Sequence, residues 1–240
     1  MEFSSGDPTV VAVTSAIHSG AVDQLQQLLS ATPALARSRI VDDRGVKRTL
    51  LHVAADWPGH FPNGAATVAA LIAAGADANA SVEGPRDSRE TPLHWAASSD
   101  DVAVLDALLD GGADIEVPGA IFTGGAPMSD AVVFAQWNAA RRLLERGAQT
   151  TIWQAAALGL LERVEECCRA ANADEITNAF WHACRGGQLR TAEFLLGRGA
   201  NLNWVGHDHK TPLDAASEGG ADDLVRWLQQ QGAQRTITRS

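Results

Sequence analysis

The chain is short of basic charge, cysteine and long apolar runs, and each shortage excludes a class of protein. Its 19 Lys and Arg residues stand against 29 Asp and Glu residues, a net charge of −10, whereas nucleic acids and anionic membranes bind basic surfaces. Three cysteines in 240 residues do not make a disulfide framework. The longest apolar run, residues 65–76, is shorter than the ~20 residues of a membrane span. We therefore expect a soluble cytoplasmic protein with no nucleic-acid or membrane partner.

Familiar catalytic and cofactor-binding motifs are also missing. The sequence contains no G-x-S-x-G, H-E-x-x-H, C-x-x-C or phosphate-binding glycine loop. Residues 1–9, MEFSSGDPT, are polar and acidic, so we expect no secretory leader. His207 and His209 are alternate residues that suggest a metal chelate, but zinc needs a third and a fourth ligand, and the sequence places none nearby. We expect no cofactor and no bound metal.

A nine-residue pattern recurs along the chain. It reads TLLHVAADW from Thr49, TPLHWAASS from Thr91, APMSDAVVF from Ala126 and TPLDAASEG from Thr211. A second apolar segment follows each copy, such as VLDALLDGGADIE after the second. Thr accepts a hydrogen bond from a free helix N–H, and Pro presets the first helical residue. The Gly near the end of each second segment suits the left-handed residue that ends a helix. Each copy therefore predicts two helices joined by a turn.

These segments resemble the ankyrin-repeat family, whose unit of about 33 residues pairs a T-P-L-H-x-A-A helix with a second helix that ends near G-A-D. The resemblance implies an all-α repeat solenoid of about seven helix-turn-helix repeats with short β-turn fingers, forming a single domain over residues 1–240. We expect the repeats at residues 11–38, 49–80, 91–117, 126–149, 150–172, 178–204 and 211–236. The segment GAQTTIWQAA joins the fourth and fifth repeats without room for a finger. Because no helix pair buries its apolar face alone, neighbouring repeats pack side by side.

The candidate site comes from comparing one position across the repeats. We call the position of the His in T-P-L-H the motif position. The residue directly after it, and the residues three and four positions beyond that next residue, share one helical face. We call these three positions the groove positions. In such a solenoid they line the concave groove. The predicted binding residues are Asp56, Trp57, His60, Trp95, Ser99, Asp130, Phe134, Gln154, His182 and Arg185. Aromatic side chains beside a few polar groups are typical of small-molecule sites and of protein hot spots.

Residues at the motif position itself are expected to be structural. In the family this His bonds the backbone and neighbouring turns, so the resemblance implies that role for His52 and His94. We assign Trp153 and Trp181 to the same position in the fifth and sixth repeats, as core residues.

Two functional hypotheses follow, beside a purely structural array with no discrete site. The first is a monomeric recognition module whose concave groove binds a protein partner, as the resemblance implies. The second is an enzyme or carrier that holds a small apolar or cationic ligand in the groove, with cation–π attraction available from the aromatic rings. In that case Asp56, His60, Asp130 and His182 are the candidate acid–base groups for an isomerisation, elimination, hydration or cyclisation.

The stretch DWPGHFPNG, residues 56–64, interrupts the second repeat. Two prolines and two glycines in nine residues cannot continue a helix. Its inserted part is PGHFP, residues 58–62, and we name these residues together with Asn63 the wedge. We expect the wedge to be a stiff wall of the groove, so that deleting residues 58–62 weakens binding and leaves the fold nearly as stable.

Overall fold

Helix pairs follow one another along both halves of the described chain. The computed structural model describes residues 1–84 and 89–236. Its internal contacts divide the chain into two compact units, Met1–Ala148 and Gln149–Ser240. The division falls one residue before the predicted end of the fourth repeat, inside the segment GAQTTIWQAA.

The N-terminal unit is built from inner helices, the first of each pair, and outer helices, the second. Successive inner helices pack against one another, and successive outer helices do the same. The inner helices are α1 (Pro8–Ser19), α3 (Leu50–Ala55), α5 (Pro92–Ser98) and α7 (Pro127–Val133). The outer helices are α2 (Val22–Ala31), α4 (Gly64–Ala73), α6 (Val102–Asp110) and α8 (Trp137–Glu145).

A small sheet joins the first two repeats and was not predicted. Strand β1 (Glu2–Ser4) runs parallel to β2 (Arg39–Val41), which is antiparallel to β3 (Lys47–Arg48). The β-branched Ile40 in β2 is buried and suits a pleated, half-buried strand. The motif spacing gives no hint of this sheet because it lies outside the helical segments.

The C-terminal unit continues the same alternation. Its inner helices are α9 (Ile152–Leu158), α11 (Ala173–Arg185) and α13 (Pro212–Glu218), and its outer helices are α10 (Leu161–Cys167), α12 (Leu189–Gly197) and α14 (Asp222–Gln230). Helix α11 packs against both α9 and α13. It begins five residues before the expected start of its repeat because Asn172 and Glu175 form a capping box there. A finger between α12 and α13 contains a short 3₁₀ turn at His207–His209.

Small residues let the inner helices approach closely, and leucines of the outer helices fill the core. Ala54, Ala55, Ala96 and Ala97 are buried. Leu71, Leu108, Leu143 and Leu195 are also buried, one in each of four outer helices. Burying a leucine side chain contributes ~1.5–3 kcal/mol. Small residues of the inner helices and large residues of the outer helices therefore both contribute to the core.

The motif histidines tie each inner helix to the next finger. The backbone N–H of Thr49 donates to His52 Nδ1 at 3.2 Å, and His52 Nε2 lies 3.1 Å from the carbonyl oxygen of Glu90. His94 repeats the arrangement with Thr91 at 3.1 Å and the carbonyl oxygen of Gly125 at 3.2 Å. Because Nδ1 accepts, Nε2 carries the proton and donates. Burial lowers the pKa of His52 to about 3 and that of His94 to about 4, so both rings are neutral at neutral pH. Their structural role is confirmed.

In the sixth repeat Trp181 holds the motif position, as predicted, but the fifth repeat differs from the prediction by one residue. The indole Nε1–H of Trp181 donates to the carbonyl oxygen of Lys210 at 2.9 Å, matching the bond from His52 to Glu90. In the fifth repeat Gln154, and not Trp153, completes the capping box with Thr151, whose backbone N–H donates to Gln154 Oε1 at 2.8 Å. Gln154 is therefore buried and engaged by the scaffold.

The wedge packs against the turns of neighbouring repeats. The His60 backbone N–H donates to Asp101 Oδ2 at 2.6 Å, and Asn63 Nδ2 donates to the carbonyl oxygen of Gly20 at 2.9 Å. Phe61 stacks on His18 with ring centroids 4.4 Å apart. Gly59 has φ +74, and a Cβ there would lie 2.9 Å from Ser99 Cβ. These contacts link the first, second and third repeats and argue against the expectation that the fold stays nearly as stable without residues 58–62.

Candidate functional site

The end of α3 places one predicted pair of residues at the surface. Trp57 is 79% exposed, although an indole has the largest apolar area of any side chain to bury. Asp56 Oδ2 pairs with Arg48 Nη1 at 2.9 Å, and its Oδ1 accepts the Trp57 backbone N–H at 2.9 Å. Asp56 therefore holds the backbone from which the exposed indole projects.

Helix α5 supplies Trp95 and Ser99, and both are tied into the N-terminal unit. Trp95 is half-buried, and its ring meets His52 edge-on with centroids 4.9 Å apart. Ser99 is buried, and its Oγ donates to the carbonyl oxygen of Ala55 at 3.4 Å. Part of the Trp95 ring is exposed and accessible to a ligand. The Ser99 hydroxyl is already engaged in the hydrogen bond between α5 and α3.

Helix α7 supplies a buried carboxyl group. Asp130 is 1% exposed. Burial, with a smaller contribution from the negative charge of Glu90, raises the pKa of Asp130 to about 8, so the carboxyl is largely protonated at neutral pH. Within residues 1–84 and 89–236, Asp130 Oδ2 has no hydrogen-bond partner. A strongly shifted pKa in a groove position is a feature of functional sites.

An aromatic pair lies where α7 ends. Phe134, a predicted site residue, is 41% exposed, and Phe122 of the preceding finger is 69% exposed. Their ring centroids are 5.8 Å apart, within the range of favourable aromatic pairs. Phe122 was not predicted as a site residue because fingers have no fixed register relative to the inner helices. An aromatic residue inside the glycine-rich finger PGAIFTGG was the available signal.

His60 is exposed, and the wedge holds it by its backbone. Its φ of +56 is unusual for a residue with a side chain. The imidazole is therefore presented from the turn between α3 and α4 and makes no hydrogen bond within the described residues.

The C-terminal unit brings His182 and Arg185 together around Trp181. His182 is 4% exposed, and its ring centroid lies 5.0 Å from that of Trp181 and 4.7 Å from that of Trp153. The guanidinium carbon of Arg185 lies 5.8 Å from the Trp181 ring centroid. His207 of the finger lies 5.1 Å from Trp181. From the sequence, His207 was considered only as a metal ligand beside His209, and its contact with Trp181 was not predicted.

The predicted site residues thus fall into separate groups. Asp56 with Trp57, Trp95 with His52, and Phe134 with Phe122 are contacts of the N-terminal unit, while His182 and Arg185 meet in the C-terminal unit. Of the four candidate acid–base groups, Asp56, His60 and Asp130 belong to the N-terminal unit, and no hydrogen bond joins any two of these three among its described residues. Nor do the described residues bring together three metal-ligating side chains, His207 and His209 included. No described helix is long and apolar enough to cross a membrane.

Comparison with known proteins identifies the repeats. The family described as "Ankyrin repeats (3 copies)" matches residues 11–119 and 152–239. "Ankyrin repeat and KH domain-containing protein mask-1" of Caenorhabditis elegans is 29% identical over 187 residues, which are 73% of this chain and 7% of that protein. This chain therefore corresponds to a small part of that relative.

A solved structure shows the same fold. The human ASB11 ankyrin repeat domain aligns with a TM-score of 0.54 at 20% identity, covering 90% of this chain and 96% of that domain. Likeness at this identity speaks for the fold alone. Together with the helix pairs described above, it confirms the predicted all-α repeat solenoid.

Proposed function

The chain belongs to the ankyrin-repeat family, and from that premise we propose that it is a recognition module that binds a protein partner through the groove positions of its N-terminal unit. Ankyrin-repeat domains generally mediate protein–protein interaction. The identity of the partner is not implied by either relative, because one is matched over a small part of its length and the other shares only the fold.

The observation that carries this proposal is the exposure of Trp57. Aromatic side chains are enriched in binding hot spots and depleted on inert surfaces. Trp57 is the most exposed of the large aromatic side chains in the described residues, and Phe122 and Phe134 form a second exposed pair. None of the three fills the core of the unit, so burial against a partner gives them a role.

The spacing of these aromatics favours a protein over a small molecule. Trp57 and Phe134 follow the ends of α3 and α7, with α5 packed between those helices. Neighbouring helices pack roughly 8–10 Å apart, so the two side chains are separated by roughly 16–20 Å. A single small ligand does not span that distance, whereas a helix or extended segment of a partner does.

Affinity capture from the source cell tests the proposal with matched variants. We expect wild type and the control Val205→Ala, which truncates an exposed apolar residue of the C-terminal unit, to retain at least one common protein. Trp57→Ala and Phe134→Ala are expected to lose it while keeping the wild-type helical circular dichroism. Retention of the same proteins by all four chains would show that these aromatics do not bind the partner.

A second candidate function, acid–base catalysis on a small ligand, is favoured by one observation. Asp130 has a pKa raised to about 8 by burial, which suits a general acid. Against it, Asp56 is engaged by Arg48, and the carboxyl of Asp130 is enclosed by protein atoms. A carbon-13 NMR titration of the Asp side chains tests the premise. A midpoint for Asp130 near the ordinary 3.8 would remove this candidate.

A further inference from the structure

The C-terminal unit contains a cluster of aromatic and basic side chains that the repeat fold does not require. We name it the Trp181 cluster: Trp181 at its centre, surrounded by Trp153, His182, Arg185, Trp204 and His207. Ring centroids of His182 and His207 lie 5.0 and 5.1 Å from that of Trp181, and the Arg185 guanidinium carbon lies 5.8 Å from it. Trp204 meets His207 edge-on at 5.9 Å. Three nitrogen-bearing basic side chains therefore surround one indole.

Arg185 is a half-buried cation without an anion. Within residues 149–236 it makes no hydrogen bond and no ion pair; its contact is the face of Trp181. Burial lowers the pKa of Arg185, while the negative charges of Asp208 and Glu218 act to raise it. Glu218 is itself paired with Lys210 at 2.6 Å. A cation that has already lost part of its water gains more from a carboxylate than a fully hydrated one does.

His182 adds an unsatisfied polar atom on the same face. It lies three residues before Arg185 in α11, so the two side chains are neighbours on the helix surface. Burial, with smaller contributions from the neighbouring His207 and Arg185, lowers the pKa of His182 to about 3, and the ring is neutral. Its Nδ1 is buried and has no partner among the described residues. Buried polar atoms in native proteins are nearly always hydrogen-bonded, and an oxygen of a ligand between His182 and Arg185 would supply the missing partner.

We propose that the Trp181 cluster binds a carboxylate of the protein partner, with Arg185 as the recognising group and the half-buried indoles of Trp153 and Trp204 contacting apolar atoms beside that carboxylate. The proposal rests on the proposed function, because it names the chemistry of a partner residue. A guanidinium offers two parallel N–H donors that match a carboxylate. In the neutral tautomer that is protonated at Nδ1, His182 donates a further hydrogen bond to the same carboxylate.

The charge of the cluster favours a carboxylate over a phosphate. A phosphate group carries a charge near −2, and phosphate-binding sites use clusters of Arg residues. Arg185 is the single guanidinium of the cluster, and Asp208 and Glu218 lie close enough to influence its pKa. In a chain with net charge −10, a singly charged ligand meets less repulsion than a doubly charged one.

An NMR titration of the full, nitrogen-15-labelled chain tests the proposal with defined probes. The probes are the blocked dipeptides N-acetyl-Glu-Leu-amide and N-acetyl-Gln-Leu-amide, which differ in the charge of one side chain. We expect the Glu probe to shift the Arg185 Nε–H and Trp204 indole signals and to bind about tenfold or more tightly than the Gln probe. Equal affinity for the two probes overturns the proposal. A blocked phosphoserine-Leu dipeptide is the third arm, and tighter binding of that probe overturns the assignment to a carboxylate.

Two matched variants separate binding from folding. Arg185→Gln should abolish the preference for Glu over Gln. Arg198→Gln removes another arginine that stacks on an aromatic ring, with its guanidinium carbon 6.0 Å from the Phe194 centroid, and should leave the preference unchanged. An Arg185→Gln chain that keeps the preference contradicts the proposal. Because the dipeptides need no partner, failure here leaves partner binding by Trp57 and Phe134 standing, and failure of the capture experiment leaves the dipeptide result standing.

Discussion

Polar side chains are buried both at the motif positions of the inner helices and at the positions directly after them, but they differ in whether their polar atoms are hydrogen-bonded. At the motif positions, His52 and His94 use both ring nitrogens in hydrogen bonds. One position further on, in other repeats, Asp130 and His182 are just as buried, yet Asp130 Oδ2 and His182 Nδ1 have no partner among the described residues. The scaffold satisfies the ring nitrogens of both motif histidines. Atoms left unsatisfied one residue away point to a role outside the scaffold.

We expect the largest effect from Asp130→Asn, which should make the chain more stable at high pH. Its folded-state pKa of about 8 lies above the ordinary 3.8, so the folded state holds the proton more tightly than the unfolded state. Wild-type stability therefore falls as pH rises from about 4 to about 8, while Asn does not titrate. Near pH 4 we expect similar free energies of unfolding, and at pH 9 an advantage for the variant of roughly 3–5 kcal/mol. Urea unfolding at both pH values measures it.

Asp214 gives a control of the opposite sign. Burial would raise the pKa of Asp214, but hydrogen bonds from Thr236 and Thr211 lower it to about 2. Ionised Asp214 therefore adds stability above pH 4 that is lost as pH falls through about 2. Asp214→Asn should destabilise the chain at pH 7.

If Asp130→Asn changes the free energy of unfolding by the same amount at pH 4 and at pH 9, Asp130 is not a buried neutral acid.

Next in size is the loss at a satisfied motif position. His94→Ala removes the hydrogen bonds to Thr91 and to the carbonyl oxygen of Gly125 and leaves buried polar groups without partners. We expect a loss of about 2–3 kcal/mol in the free energy of unfolding. The matched variant is His94→Gln, because Gln154 occupies this position naturally in the fifth repeat; it should lose about half as much. If His94→Ala lowers the free energy of unfolding by less than ~1 kcal/mol, the hydrogen bonds at the motif position do not distinguish it from the position directly after it.

Asp101 is a buried polar residue that holds the wedge, and we expect its replacement to lower the free energy of unfolding by less than that of His94. Its carboxylate accepts the backbone N–H of His60 at 2.6 Å and that of Val104 at 3.1 Å, so it anchors the wedge and caps α6 together. We expect Asp101→Ala to cost about 1–2 kcal/mol by urea unfolding. His60→Ala leaves both backbone bonds in place and should cost about 0.5 kcal/mol or less. Equal losses would show that the wedge is not held by Asp101.

The helix pairs were predictable because cap, turn and core residues recur at one spacing. Thr91, Pro92 and His94 each have a local physical role that transfers from repeat to repeat. The fifth repeat was misaligned by one residue because Trp153 looks like a bulky replacement for His, whereas the cap depends on which side chain reaches back to Thr151. Gln154 does so, and only the helix start reveals it.

Burial and long-range contacts limited the prediction of the site. The sequence placed Asp130 in a groove, but its enclosure depends on residues around α7 whose arrangement no local pattern encodes. The wedge contacts Gly20 and Asp101, each about 40 positions away along the chain, so its scaffold role was invisible. Asp56 and Trp57 were assigned to the helical face of α3, but α3 ends at Ala55 and Asp56 is already extended, so helix periodicity does not determine the position of Trp57.

We expect the smallest effect on stability from Trp57→Ala, which tests whether an exposed residue at a groove position contributes to the scaffold. Trp57 is exposed and its side chain has no hydrogen bond within the described residues, so truncation removes little packing; we expect a change within about 0.5 kcal/mol in urea unfolding. Trp95→Ala serves as the matched indole variant, and it should cost more because Trp95 packs edge-on against His52. A loss above ~1.5 kcal/mol for Trp57→Ala would place this indole in the scaffold. A near-zero change combined with loss of the captured protein would mean that the chain keeps an exposed tryptophan for its partner.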